Sequence, residues 1–518
     1  MAPARLRSPR LIVLAAVVLV GAYLILVAAD AASRGNLHTG DTDLLVAGAR
    51  TAMSCISKAK LVGCGHLRGS LSTSVGPYAL LEYLPAAAFV ATGLSNNSVI
   101  HWLGSLNLVA YALTLVAVAV AARRMAWKGW GALLVVALLA SSLTYQATAG
   151  FSEMLQACVG ALAMLAIIER RSTLTVVGVA LACVGKETFF PFVAVLGFLA
   201  GRRPEDGFAP PRRVTLALAA GIVVGELCNL GFNEFRYASV NNLEYLQGLF
   251  RTPGVERKAA FFAAVWLSPS GGVLWFAPIA TVIVVGVLVA AVVALARAPR
   301  RTGSWLPPLA AVGAVAAFAA GLSEWYTPFG WIAYGPRLFV PILPAGLVVI
   351  AYTGGPQLAG ALRRVLASRA GLVGAAGVCV AAGWAQFGAP WSWSVAVSRL
   401  IAPAPGCPGM TQLVIQTRPN QYYTCASKIM WRIHPSVLHA AASAGGTPAL
   451  AARALLGAAT VALVAGIGWQ PHTPGGPAKH SGGSGEVAGR YRGSHRIGSG
   501  GARGPTGVMH PSPASTRI

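Results

Sequence analysis

Long runs of apolar residues alternate with short polar stretches along most of the chain. The first run, residues 11–29, follows a basic N-terminus, and runs of similar character recur up to residue 468. A helix of about twenty apolar residues spans the hydrocarbon core of a bilayer. The pattern therefore predicts an all-α, polytopic helical membrane protein with about 11–13 transmembrane helices.

Two neighbouring apolar segments leave the early topology open. Residues 77–93 and 99–122 are both apolar and helix-like. If both cross the membrane, the basic pair Arg123 and Arg124 falls on the outer side, against the rule that basic loops are cytoplasmic. Either one segment is re-entrant or interfacial, or the pair is an exception. Later spans are expected near 131–148, 153–168, 173–184, 188–200, 214–231, 273–296, 305–322, 338–353, 371–386 and 449–468.

The charge distribution supports a membrane protein over a soluble one. Charged residues make up 11% of the 518 positions, against about 25% in an ordinary soluble domain. The net charge of +25 comes from short basic clusters between apolar runs, not from one continuous face. Such clusters mark cytoplasmic loops and attract anionic lipid headgroups. We therefore expect membrane lipids and not nucleic acid as partners, and cytoplasmic N- and C-termini in a multi-pass protein of the cell membrane.

The same pattern divides the chain into four segments. Residues 1–10 are expected to form a cytoplasmic N-terminus, and residues 11–353 a transmembrane core whose first outer loop covers 30–75. Residues 354–468 add further membrane segments and a second outer loop at 387–446. Residues 469–518 are rich in Gly, Pro, Ser and His and lack the apolar residues of a core, which is typical of a disordered tail.

Four of the eight cysteines lie in the predicted outer loops. Cys55 and Cys64 belong to the first loop, and Cys407 and Cys425 to the second. Disulfides are permitted outside the cytoplasm. Pairing within each loop is the simplest connectivity, but a cross-loop arrangement stays open because sequence alone does not determine it.

Acidic residues are scarce, so those at the predicted outer ends of spans need an explanation. Asp41 and Asp43 follow the first span directly, and Glu153 and Glu187 lie at later outer ends. An ionisable group near the membrane centre costs about 2.5–3.5 kcal/mol, and those that persist usually line a cavity or a pathway. An outward-facing cavity with charged walls fits two classes of protein, a transferase at the outer leaflet and a transporter.

Polar and aromatic motifs follow one another in a recognisable order between residues 11 and 353. They are 40–43 (GDTD), 76–85 (GPYALLEYLP), 150–153 (GFSE), 185–187 (GKE), 233–237 (NEFRY), 267–272 (LSPSGG), 275–278 (WFAP) and 331–341 (WIAYGPRLFVP). In this order the chain resembles the GT-C superfamily of polyprenyl-phosphate-sugar-dependent glycosyltransferases, most of all bacterial relatives of the protein mannosyltransferases and lipid A aminoarabinose transferases. No single motif is specific, and their order carries the resemblance.

The resemblance implies a GT-C-like catalytic core over residues 11–353 and a hexosyl or pentosyl transfer on the extracytoplasmic face. The donor would be a polyprenyl-phosphate-linked sugar, and the acceptor a lipid, glycan or protein of the cell envelope. In that family an acidic residue of the first outer loop deprotonates or positions the acceptor, which points to Asp41 or Asp43. A carboxylate within hydrogen-bond reach can take the proton of a hydroxyl nucleophile as the new bond forms.

The resemblance also implies partners for the departing lipid phosphate, which needs cationic stabilisation. Arg337, Lys186 and Arg236 are the candidate phosphate-binding residues, and Arg337 is favoured because Gly and Pro precede it and Arg suits phosphate. Glu153 and Glu187 are candidates for acceptor or metal binding. No cofactor is certain, and a divalent cation stays open.

Each candidate also has a structural interpretation. Asp43 would be an N-cap if a helix began near Leu44, and Glu153 would suit the N-terminus of its own helix. Lys186 and Glu187 would neutralise each other at a helix hairpin, and Arg337 would anchor a loop by binding carbonyls.

Two other functional classes remain open beside the transferase. One is a secondary transporter or flippase for a lipid-linked sugar, and the other is a non-catalytic envelope protein with the same architecture. A transporter should show internal homology between its halves, and no clear inverted repeat is visible. The Gly-rich stretches lack the Lys-Ser/Thr of a P-loop, which disfavours an ATP-driven pump.

Overall fold

The computed structural model describes residues 9–34, 40–64, 78–149, 153–203, 206, 209–240, 252–297, 304–325, 335–391, 419–431, 436–443 and 445–468. Regular structure in these ranges is helical and contains no β-strand, which confirms the all-α prediction. The α-helices are α1 (Pro9–Arg34), α2 (Gly40–Ser57), α3 (Leu80–Ala91), α4 (Asn96–Ala121), α5 (Gly129–Leu139), α6 (Leu143–Gln146), α7 (Glu153–Ile168), α8 (Ser172–Gly185), α9 (Phe190–Gly201), α10 (Arg212–Tyr237), α11 (Val255–Leu267), α12 (Val273–Phe276), α13 (Pro278–Arg297), α14 (Leu306–Ser323), α15 (Leu343–Leu366), α16 (Arg369–Phe387), α17 (Pro419–Met430), α18 (Val437–Ser443) and α19 (Thr447–Gly468).

Eight of the described helices are long and apolar enough to cross a bilayer, which confirms a multi-pass membrane protein. Five further apolar helices, α3, α5, α7, α8 and α9, contain 10–17 residues each and lie in the apolar segments for which the other spans were predicted, but they are shorter than those eight. The eight long candidates are Leu11–Asp30, Asn96–Arg124, Arg212–Tyr237, Pro278–Arg297, Leu306–Ser323, Arg337–Leu366, Arg369–Trp391 and Thr447–Ile467.

The length of α3 decides between the alternatives for residues 77–93. This helix has 12 residues, so it is about 18 Å long at 1.5 Å per residue, well short of a bilayer core of about 30 Å. Both α1 and α4 are long enough to cross. If α1 and α4 cross the bilayer and α3 does not, the chain returns through α4 to the side where α1 begins, and the basic pair Arg123 and Arg124 at the end of α4 agrees with the charge rule.

The second half of the predicted span at 131–148 does not continue the helix. Helix α5 ends at Leu139, and turns and the short α6 follow. The polar side chains of Ser141, Ser142 and Thr144 are fully buried, and the Thr144 hydroxyl donates to the Gln386 carbonyl at 2.9 Å. Irregular backbone at membrane depth is tolerated where protein encloses it. The predicted span at 131–148 is therefore not one continuous helix.

Two enclosed helical segments form the centre of the bundle. Nearly every residue of α7 is buried, and the apolar stretch within Arg337–Leu366 is 83% buried. A helix that is apolar on all sides is usually surrounded by other protein elements. The charged residues at the N-terminal ends of these segments, Glu153 and Arg337, are therefore carried on central elements.

Small residues bring α8 close to both α7 and α10. A Cβ atom at Gly221 would lie 2.8 Å from the Val176 carbonyl oxygen, and one at Gly225 would lie 2.6 Å from the Cys183 Cβ. This Gly-xxx-Gly pattern permits close contact between membrane helices, whose association depends on van der Waals packing. The packing holds the end of α8, where Lys186 follows.

A disulfide and two backbone hydrogen bonds fix the C-terminal end of α2. Cys55 and Cys64 are joined, and the Gly63 and Cys64 amides donate to the carbonyls of Glu234 and Phe235 at 3.2 and 2.7 Å. These bonds attach the loop after α2 to the end of α10. The helix that carries the Asp pair is thereby anchored to the bundle.

Several predictions fall outside the described residues. Cys425 is disulfide-bonded, whereas Cys407 lies outside the described ranges. Residues 1–8, most of the outer loop 387–446 and the tail 469–518 also lie outside them. The side of the membrane on which each terminus lies stays a prediction.

Candidate functional site

A buried ion pair joins the two central segments. The Arg337 Nε donates to the Glu153 Oε1 at 2.6 Å, and the two side chains are 10% and 6% exposed. Arg337 begins a 3₁₀ turn, Arg337–Ile342, and Glu153 is the first residue of α7. A carboxylate is favoured at a helix N-terminus by the partial positive charge there. The Glu153 carboxylate therefore lies at a helix N-terminus, as the structural interpretation predicted, and it also has Arg337 as a cationic partner.

The turn before Arg337 depends on a glycine. Gly335 has a φ of +73°, and a Cβ there would lie 2.9 Å from both Phe276 and Ser142. The Arg337 amide donates back to the Gly335 carbonyl at 2.9 Å. Only glycine adopts this conformation without a steric cost and leaves room for those neighbours. The Gly-Pro sequence thus fixes the approach of the guanidinium, as the sequence suggested.

A second carboxylate belongs to the same cluster. Gln156 lies one turn after Glu153 on α7, and its Nε2 donates to the Glu82 Oε1 at 2.8 Å. Glu82 is buried on α3. Glu82 lies within the 76–85 motif but is not one of the site residues predicted from the sequence. Glu82 is nevertheless recognisable from the sequence, because it is an acidic residue inside an apolar segment, where such groups are costly.

Lys186 completes the cluster from the end of α8. Burial lowers the pKa of Lys186, while the carboxylates of Glu153 and Glu82 act to raise it and Arg337 acts to lower it. A Cβ at Gly185 would lie 3.3 Å from Gln156 and Leu81, so this glycine lets the end of α8 approach α7 and α3. The ammonium therefore lies within electrostatic reach of all three charged groups.

One polar atom of the cluster has hydrogen-bonding capacity that no described residue fills. The Glu153 Oε2 is enclosed and has no hydrogen-bond partner there. The Lys186 ammonium has Glu153, Glu82 and Arg337 as electrostatic neighbours. Two cations and two carboxylates balance in net charge, yet one open acceptor remains. Such an arrangement suits a ligand that carries an anion and a hydrogen-bond donor close together.

The Asp pair lies on α2, which begins at Gly40. Asp43 is therefore in the first turn and not at the N-cap, so the capping interpretation based on a start near Leu44 is wrong. Asp43 is exposed, and the side chain of Asp41 lies outside the described residues. The catalytic role of either residue stays a prediction.

Arg236 has a structural environment of its own. Its side chain is almost fully buried, donates to the Tyr78 carbonyl at 2.6 Å and to the Asn233 side chain at 2.5 Å, and lies over the Phe232 ring at 4.5 Å. These contacts hold the segment that leads into α3 and Glu82. Its predicted role as a phosphate contact stays untested, and the Glu187 side chain lies outside the described residues.

The described residues contain no group of three or more His, Cys, Asp or Glu side chains placed to hold a metal ion. Glu153 and Glu82 are the carboxylates of the ion cluster, and the second accepts from Gln156. Binding of a divalent cation therefore stays a proposal, and the described residues do not supply a set of ligands for it.

Comparison with known proteins gives two similar structures. No family model matches the sequence, and no curated protein matches it. ArnT from Cupriavidus metallidurans bound to undecaprenyl phosphate is 16% identical, with a TM-score of 0.41 over 87% of this chain and 77% of that chain. The apo state of the same protein is 18% identical, with a TM-score of 0.34 over 82% and 72%. At these scores the likeness assigns neither activity nor ligand to this chain.

Proposed function

We propose that this chain is an integral membrane, GT-C-like glycosyltransferase that moves a sugar from a polyprenyl-phosphate donor to a cell-envelope acceptor on the extracytoplasmic face. The observation that carries the proposal is the ion cluster of Glu82, Glu153, Lys186 and Arg337. Each residue belongs to a different one of the motifs whose order resembles the GT-C superfamily. Those motifs are far apart in sequence, and their charged residues meet at one place.

Lys186 and Arg337 are the proposed contacts of the donor phosphate. As the sugar leaves, negative charge develops on the lipid phosphate, and preorganised cations stabilise it. The guanidinium and the ammonium lie in a largely enclosed site, where charge interactions are stronger than in water. Arg337 presents planar donors that match phosphate oxygens, and Lys186 adds a compact charge.

Asp41 or Asp43 is the proposed general base. The buried residues Leu45 and Val46 of α2 belong to the same apolar cluster as Tyr83 and Ala86 of α3. The helix that bears the Asp pair therefore packs with the helix that bears Glu82. A carboxylate on α2 would remove the proton of an acceptor hydroxyl as it attacks the anomeric carbon. Glu187 remains the proposed acceptor contact, with a divalent cation as an option; Glu153, which is paired with Arg337, is proposed to face the donor instead.

A transfer assay tests the proposal. Membranes that contain the protein are incubated with radiolabelled polyprenyl-phosphate sugars and scored for a new labelled acceptor. We expect transfer by the wild type and a loss of turnover, with the fold intact, in Asp41→Asn or Asp43→Asn. Normal transfer by both variants and by the double variant would remove the Asp pair from catalysis. Movement of the label across sealed vesicles without transfer would instead identify a transporter.

A further inference from the structure

We propose that Glu153 recognises a hydroxyl group on the sugar carbon next to the one that bears the phosphate. The site would then select glycosyl phosphates that carry a hydrogen-bond donor at that second carbon. This inference rests on the proposed function, because it takes the anion at Lys186 and Arg337 to be the phosphate of a lipid-linked sugar.

The open oxygen of Glu153 is the first observation. Its Oε1 accepts from the Arg337 Nε at 2.6 Å, while its Oε2 is enclosed without a hydrogen-bond partner among the described residues. Native proteins pair nearly all buried polar atoms, because an unpaired one loses its bonds to water without compensation. A carboxylate oxygen only accepts, so the missing partner is an O–H or N–H donor.

Exchange of partners at Arg337 gives the second argument. A phosphate that enters the cluster competes with Glu153 for the guanidinium. If the phosphate takes that contact, the Glu153 carboxylate loses its hydrogen bond at Oε1 and still has none at Oε2. A buried charge that has lost its partner is strongly unfavourable. A ligand that brings its own donor beside its phosphate restores the lost bond, and a ligand without one leaves the carboxylate unpaired.

The position of the donor on the ligand follows from the shared geometry. The two carboxylate oxygens of Glu153 are bonded to one carbon, so a group that binds Oε2 lies beside the guanidinium that binds Oε1. The donor must therefore be close to the phosphate within the ligand itself. In a glycosyl phosphate the phosphate is attached to C1, and the ring hydroxyl nearest to it is on C2.

A hydroxyl fits this place better than a cation does. The described residues contain no group of three or more His, Cys, Asp or Glu side chains that would complete a metal site around Glu153. The other carboxylate of the cluster, Glu82, already accepts from Gln156 at 2.8 Å. Positive charge is supplied by Lys186, which interacts electrostatically with both carboxylates.

Binding of a matched set of lipid phosphates tests the inference on the purified full-length protein in nanodiscs. The probes are farnesyl phosphate and farnesyl-phosphoryl mannose, together with the 2-deoxy and 2-fluoro forms of the latter. Fluorine keeps the size and polarity of the position but cannot donate a hydrogen bond. We expect the 2-hydroxy probe to bind about tenfold to a hundredfold more tightly than the 2-deoxy and 2-fluoro probes, the range typical of hydrogen bonds to charged groups.

Variants assign this preference to one side chain. Glu153→Gln should remove most of the preference for the 2-hydroxy probe, whereas Glu169→Gln, one residue beyond the other end of α7, should keep it. If Glu153→Gln does not fold, the comparison of the three mannosyl probes on the wild type still decides.

The outcomes separate this inference from the proposed function. If farnesyl phosphate binds but the three mannosyl probes bind equally well, the inference fails and the phosphate site stands. If the preference disappears when EDTA is added, a cation and not a hydroxyl is the partner of Glu153, and the inference again fails. If no farnesyl phosphate binds, the phosphate site fails together with the inference.

Discussion

Removing both members of the Glu153–Arg337 pair should destabilise the protein by less than the sum of the two single removals. Each side chain is at most 10% exposed, so Arg337→Gln or Glu153→Gln leaves an uncompensated charge in the bundle. Loss of one partner from a buried pair costs about 3–5 kcal/mol. In the double variant two neutral amides face each other, so its loss should fall short of the sum of the single losses by about 2 kcal/mol.

A double-mutant cycle measures this difference. The free energy of unfolding is obtained from SDS titration in mixed micelles, followed by helical circular dichroism. The pair Arg124 and Glu169 is the matched control, because it lies near the other end of α7 and has two hydrogen bonds of 2.7 and 2.6 Å. Its side chains are 53% and 22% exposed, so solvent screens it and its coupling should be small. Additive losses at the buried pair, or equal coupling at both pairs, would refute the reasoning.

Three further predictions concern packing, the turn before Arg337 and pH. Gly225→Val should lower the free energy of unfolding by about 1–3 kcal/mol through overpacking, because even a Cβ at this position would lie 2.6 Å from α8. Gly231→Ala is the control, because a Cβ there meets nothing within 4 Å, and it should be neutral or slightly stabilising in the same titration. Gly335→Ala should lower the free energy of unfolding by about 2–4 kcal/mol and weaken the binding of farnesyl phosphate. Gly93→Ala is the control, because Gly93 has a similar φ of +77° but open space around it, and it should lose only about 1 kcal/mol through backbone strain. Equal losses would contradict the close contact at Gly335. Burial lowers the pKa of Lys186, and its ammonium attracts the anion, so the affinity for farnesyl-phosphoryl mannose should be full below that pKa and fall as the pH rises through it. The fall should occur at lower pH than for an ordinary lysine, whose pKa is about 10.4. The affinity of Lys186→Arg should stay constant over the same range, and a constant wild-type affinity would exclude the contact.

Hydropathy predicted where most helices lie but not how the polar segments fold. The segment after α5 was predicted as part of a span, because Ser141, Ser142 and Thr144 are too few to lower the average hydropathy of their surroundings. The Ser141 hydroxyl donates to the Leu138 carbonyl at 2.7 Å and the Thr144 hydroxyl to the Ser141 carbonyl at 2.8 Å, and such bonds compete with a continuous helix. The end of α5 thus depends on local hydrogen bonding that a hydropathy average does not report.

The candidate site was only partly predictable for a different reason. Lys186, Glu153 and Arg337 stood out because charges are rare near predicted spans, and motif order suggested roles for them. The partner of Arg337 is 184 positions away in sequence, and only the packing of α7 against the Arg337–Ile342 turn shows it. Glu82 is recognisable in the sequence as an acidic residue in an apolar segment, but its contact with Gln156 on a different helix follows only from the packing.

The role of the ion cluster as the phosphate site is tested most directly by equilibrium binding of farnesyl phosphate to the purified protein. The wild type should bind, and Arg337→Gln and Lys186→Gln should each weaken binding by about tenfold to a hundredfold, as expected for charged hydrogen bonds. Lys258→Gln is the matched control, because Lys258 pairs with Glu324 at 2.6 Å and should not affect binding. Variants of Lys186 and Arg337 that are folded and bind as tightly as the wild type would contradict the assignment.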